Sequence, residues 1–72
     1  MLRSVEAERV RRQLTKEEMA KELGVSLKTY YNWISEETDM PISFLIKMSN
    51  MFGTTTDYLL EGASGARQKN GR

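Results

Sequence analysis

The stretch Lys16–Trp33 reads KEEMAKELGVSLKTYYNW, and its spacing of small and apolar residues decides how the chain folds. Apolar or aromatic side chains stand at Met19, Leu23, Val25, Tyr30 and Trp33, with polar residues almost everywhere between them. Ala20 is small, and Gly24 follows close behind it. Two short helices that cross steeply need a small residue at their contact and a glycine in the turn that joins them. The run therefore predicts a helix-turn-helix, which leaves one face of its second helix to solvent in a shape suited to the major groove of DNA.

Working outward, Thr15 followed by Glu18 forms a capping box, so the first helix of the pair should run from about Lys16 to Leu23. Gly24 supplies the left-handed residue that ends it. Ser26 caps the second, which reaches about Ile34 or Ser35. Upstream, Ser4 is expected to cap another helix with Val5 and Val10 inward and Glu6, Glu8, Arg9, Arg11 and Arg12 mostly outward; Leu14 packs as the chain turns. Downstream, the polar segment SEETDMP at 35–41 reads as a loop. Leu45, Met48 and Phe52 mark one face of a helix from Ile42 to Phe52, closed by Gly53. Thr55 can cap a short fifth helix with Asp57 in its first turn. Met40, Met48 and Met51 read as core filling. The expectation is an all-α domain over residues 1–61, a compact bundle of five short helices, followed by a flexible basic tail over 62–72.

Composition narrows the chemistry. Seventy-two residues allow one small domain. With neither cysteine nor histidine, the chain lacks disulfides, thiolate metal sites, the commonest zinc ligand and the commonest general base. No glycine loop cradles a phosphate and no carboxylate pair stands with a nucleophile, so neither an enzyme nor a cofactor is expected. Nor is a small-molecule ligand evident. No apolar run is long enough to span a membrane and no signal-peptide pattern opens the chain, which points to the cytoplasm. The net charge of +1 is unevenly placed: +2 over residues 1–34, −4 over 35–61 and +3 over 62–72. A polyanion partner suits the first part, although scattered solubilising charge fits nearly as well.

Taken together, LTKEEMAKELGVS (14–26), KTYYNW (28–33), Pro41 and FGTTTDYLL (52–60) resemble the Cro/repressor-type, or XRE, helix-turn-helix family of phage repressors and bacterial regulators. The resemblance covers residues 4 to 60. It implies a lambda-repressor-like fold and sequence-specific binding of a double-stranded DNA operator as a homodimer. Phage repressor, antitoxin-like autoregulator and chromosomal regulator all remain open.

Helical spacing puts Tyr30 and Trp33 inward with Val25 and leaves Leu27, Lys28, Tyr31 and Asn32 on the opposite side. The resemblance implies that this outward set meets base edges. An Asn32 amide can bond adenine at two atoms, and Lys28 can donate to guanine or phosphate. Leu27 suits a thymine methyl, and Tyr31 a phosphate or sugar. The alternative for Lys28 and Asn32 is an ordinary solvated helix face. Lys16 stands where the family usually has a glutamine that bonds the DNA backbone, and keeps the attraction to phosphate. Ser26 and the adjoining helix N-terminus could add phosphate contacts. Phe44, Ile46, Leu59 and Leu60 are candidates for a dimer surface, with core membership the competing reading.

Two further features depart from the family pattern. Ile34 replaces a glutamate that often pairs with an arginine at the place of Arg9, so Arg9 is expected to reach Glu36 or Glu37 or to stay unpaired. The loop after the second helix of the pair is acidic, with Glu36, Glu37 and Asp39, where the family usually has basic or neutral residues. Like charge opposes phosphate binding. The alternative function is therefore a protein-interaction or dimerisation module that keeps the fold but binds DNA weakly or only with a partner.

Overall fold

The computed structural model describes residues 1–61 and 63. Five helices follow in order: α1 (Arg3–Arg11), α2 (Lys16–Leu23), α3 (Leu27–Ile34), α4 (Ile42–Phe52) and α5 (Thr56–Leu59). No strand occurs among the described residues. The fold is all-α, as the periodicity implies. α2 packs on α3, α1 packs on α3 and α5, and α5 also rests on α4. Their buried faces share one core, with Val5, Met19, Tyr30, Met48 and Leu59 wholly enclosed. Met40 and Met51 lie against it, half-buried.

The helix ends follow local chemistry. Thr15 accepts from the Glu18 amide at 3.0 Å while Glu18 accepts from the Thr15 amide at 2.8 Å, closing the expected capping box. Ser26 and Thr55 cap α3 and α5 through the amides of Thr29 and Tyr58, both at 3.1 Å. Gly24 and Gly53 adopt left-handed backbone at φ 77° and 67°, ending α2 and α4. Two helices stop in the same way without glycine. Beyond α1, Gln13 (φ 59°) donates to Val10 while Leu14 donates to Arg9; beyond α3, Glu36 (φ 68°) donates to Trp33 while Glu37 donates to Asn32. Both are Schellman motifs built on residues that enter left-handed backbone less readily than glycine does.

α1 departs from the sequence reading in three ways. Ser4 does not cap it; Leu2 is the capping position, buried, with its amide donating to the Ile34 carbonyl at 3.0 Å. Val10 points to solvent, 60% exposed. Glu8 is buried instead. Val5 and Val10 are five residues apart, which places them well over a quarter-turn from one another on a helix, so one face cannot bury both.

Glu8 is enclosed because partners meet its charge. Its carboxylate accepts from Arg12 at 2.7 Å and from the Tyr58 hydroxyl at 3.0 Å, with Arg11 3.6 Å away. Burial pushes the Glu8 carboxyl up, but the Tyr58 and Arg12 hydrogen bonds and the charges of Arg11 and Arg12 outweigh it and hold it below the ordinary carboxylate value. Arg12 also donates to the Phe52 carbonyl at 2.8 Å and lies 4.7 Å from the centre of that ring. This network clamps α1 to α5 and to the end of α4. Ala63 is buried against the core and its amide donates to Leu60 at 3.0 Å; the rest of the expected tail lies outside the described residues.

Candidate nucleic-acid interface

Capping fixes the geometry of α2 and α3 and thereby of the face they present. Thr15 starts α2, so Lys16 is its first residue. Gly24 and Ser26 then turn the chain into α3 within three residues. Ala20 and Leu23 of α2 and Tyr30, Trp33 and Ile34 of α3 are buried, which settles the rotation of α3 about its axis. Trp33 further packs on Phe44 with ring centres 4.9 Å apart and planes tilted by 48°.

With those rings inward, Lys28 and Tyr31 are exposed, Tyr31 to 49%, while Leu27 and Asn32 are half-buried at the edges of the same face. The Asn32 carbonyl is occupied by the Glu37 and Thr38 amides, at 2.9 and 3.3 Å, and by the Ser35 hydroxyl. No described residue hydrogen-bonds its side-chain amide, so both ends of that amide remain available to an adenine edge. Ser26 is differently placed. It accepts from the Thr29 amide and donates its hydroxyl to Thr29 Oγ1 at 3.0 Å, so its proton is already used inside the cap.

Lys16 brings α2 to the same face. Its ammonium is 5.6 Å from the centre of the Tyr31 ring and 3.7 Å from the Glu6 carboxylate. Glu6 also accepts two bonds from Arg9, at 3.2 and 3.0 Å, and one from the Tyr30 hydroxyl at 2.6 Å. Arg9 donates in addition to the Leu14 carbonyl. The expectation that Arg9 would reach Glu36 or Glu37, or stay unpaired, is thus corrected. Glu6 lies one helical turn before Arg9, within easy reach of its guanidinium, whereas Glu36 bonds the amino terminus at 2.6 Å.

Burial raises the Glu6 carboxyl, yet the Arg9 and Tyr30 hydrogen bonds and the charges of Arg9 and Lys16 pull it below its ordinary value. Burial, with that carboxylate beside it, drives the Tyr30 phenol far above its usual range, so Tyr30 is a donor at neutral pH. Sequence reasoning missed Glu6 and Tyr30 as partners. The helical spacing of Glu6 and Arg9 was the one available signal.

The proposed dimer residues divide. Leu59 is wholly buried and is core. Ile46 is exposed, with Ile42 one turn earlier on the same side of α4 exposed to 72%, while Phe44 and Leu60 are half-buried. No helix of the described residues is long and apolar enough to cross a membrane.

A helix-turn-helix family model matches residues 5–59. The chain belongs to that family: it is a Cro/XRE-type helix-turn-helix protein, of a class of DNA-binding regulators. No curated protein and no solved structure matches it significantly.

Proposed function

We propose that this chain is a sequence-specific transcriptional regulator, repressor-like in kind, that lays α3 in the major groove of an operator. One observation carries the reading. The two large rings of α3 that could have been surface aromatics are core, and the residues left outward are a lysine, a tyrosine and an asparagine with a free amide. These are side chains that meet phosphates and base edges. In this reading Asn32 and Lys28 read bases, Leu27 and Tyr31 line the groove, and Lys16 holds a phosphate with help from the α3 N-terminus at Ser26. The chain acts as a homodimer on a two-fold operator in the bacterial cytoplasm, at the nucleoid, with its half-sites one helical turn apart.

A second reading, an interaction module that binds DNA weakly or only with a partner, draws on Glu37 and Asp39, both exposed in the loop after α3. Like charge there opposes the duplex backbone. Selection from random duplex DNA at moderate salt separates the two. Enrichment of two-fold symmetric sites supports the regulator; no enrichment at any salt supports the module.

A further inference from the structure

The Glu6 carboxylate has four acceptor sites; the fold fills three with hydrogen bonds and sets a cation near the fourth. Oε2 takes the Arg9 Nε and the Tyr30 hydroxyl; Oε1 takes a terminal nitrogen of Arg9 and faces the Lys16 ammonium. Three of these are hydrogen bonds of 2.6 to 3.2 Å from groups that are themselves buried or held by the fold. The fourth, to Lys16 at 3.7 Å, is an ion pair too long for a hydrogen bond. Glu6 is therefore anchored, with its side chain only 14% exposed, while Lys16 is 37% exposed on a flexible stem. Of the four contacts, the one to Lys16 yields first.

We propose that Glu6 sets duplex affinity from behind the reading face: it holds the Lys16 ammonium on the protein, and a backbone phosphate must compete for that cation. This inference rests on Lys16 meeting phosphate, as proposed above. Phosphate contacts carry no sequence information. Glu6 accordingly lowers affinity for all duplexes alike and is a positioning residue, with no base contact of its own. Before binding, Lys16 stays between Glu6 and the Tyr31 ring. On binding, its ammonium moves to phosphate and leaves one lone pair of Oε1 to water.

A double-mutant cycle on a short mixed-sequence duplex tests this. Anisotropy titrations at several salt concentrations would compare the wild type, Lys16→Met, Glu6→Gln and the double variant, each below its own melting temperature. Lys16→Met should cost more affinity in the Glu6→Gln background than in the wild type, by a factor of up to about five. Glu6→Gln alone should steepen the salt dependence by at most about 0.9 in the logarithmic slope. Equal cost in both backgrounds overturns the proposal and leaves the DNA reading standing. If no variant binds any duplex at low salt, the DNA reading falls and this one with it. Should Glu6→Gln not fold, Glu6→Asp keeps the charge but withdraws it from Lys16, and the cycle is run in that background with the same two outcomes.

Discussion

The Tyr30 hydroxyl donates to the Glu6 carboxylate at 2.6 Å, so the buried side of α3 is bonded to α1 across the core. The ring fills the core and its hydroxyl reaches the polar edge where Arg9 and Lys16 also meet. α3 is thus fixed in rotation by packing and by one charge-assisted bond. Replacing Tyr30 with phenylalanine keeps the packing and deletes the bond. The expected loss is about 1.5 kcal/mol of unfolding free energy, the lower end for a hydrogen bond to a charged group. Urea denaturation would show it, with base preference in the folded protein unchanged. An unaltered midpoint would mean that packing alone sets the rotation.

Stability should fall at both ends of the pH scale, for assignable reasons. The Glu6 and Glu8 carboxyls lie below their ordinary value of 4.5 in the fold. Their contribution is complete above that value and is lost as pH falls through the lowered folded-state values. Tyr30 and Tyr58 lie above their ordinary value of 10.0. What they contribute is present below pH 10 and is lost as pH rises beyond it, because the unfolded chain ionises first. Thermal melts across pH should give a plateau between the two limbs. Glu8→Gln should flatten the acid limb, and an undiminished limb in that variant would assign it to other carboxylates.

The two kinds of helix terminus give opposite expectations. At Gly24 a Cβ would meet nothing within 4 Å, so the cost of Gly24→Ala comes from the left-handed backbone alone, about 1–2 kcal/mol. At Gln13, φ 59° already carries such a strain, and Gln13→Gly should stabilise by up to about 1 kcal/mol. A loss of stability in Gln13→Gly would show that the side chain offsets its own backbone. Glu36 is a poorer test, because its carboxylate also holds the amino terminus.

What the sequence revealed and what it hid differ in range. Thr15, Ser26 and Thr55 act on amides three residues away, and Gly24 ends a helix by its own backbone freedom, so all four were legible locally. The inward turn of Tyr30 and Trp33 followed from helical spacing against Val25. Glu8 was not legible. It reads as a surface acid because its partner Tyr58 is fifty residues away and joins it only when α1 and α5 dock. Once Glu8 takes the inner face of α1, Val10 is turned out. Gln13 and Glu36 were hidden for another reason: neither residue type signals left-handed backbone, so the helix ends they make carry no mark in the sequence.

The exposed and buried leucine-like residues at the C-terminal end should separate cleanly. Ile46 is exposed on α4, and Ile46→Lys should leave unfolding free energy within about 0.5 kcal/mol. If the chain pairs through α4, that variant should sediment as monomer at concentrations where the wild type pairs. Leu59 is enclosed, and Leu59→Ala should cost about 2–5 kcal/mol, a large share of the stability of so small a domain. A destabilised Ile46→Lys would mean that folding and pairing are coupled.

The outward residues of α3 and the first residue of α2 should fail in different ways. Asn32→Ala and Lys28→Ala remove donors and acceptors that suit base edges, so each should cost about 1–3 kcal/mol at particular positions of a selected site and little elsewhere. Lys16→Ala removes the charge proposed to meet phosphate, so it should weaken every duplex alike and flatten the salt dependence. The contrast rests on the roles proposed above: Asn32 has a free amide on the outward side of α3, while Lys16 stands at the start of α2 beside Tyr31 and Glu6. Titration of each variant against the selected site and its single-base changes resolves the two patterns. A change of base preference in Lys16→Ala with an unchanged salt slope would reverse the assignment, placing the lysine in the groove and leaving the backbone contact to another residue.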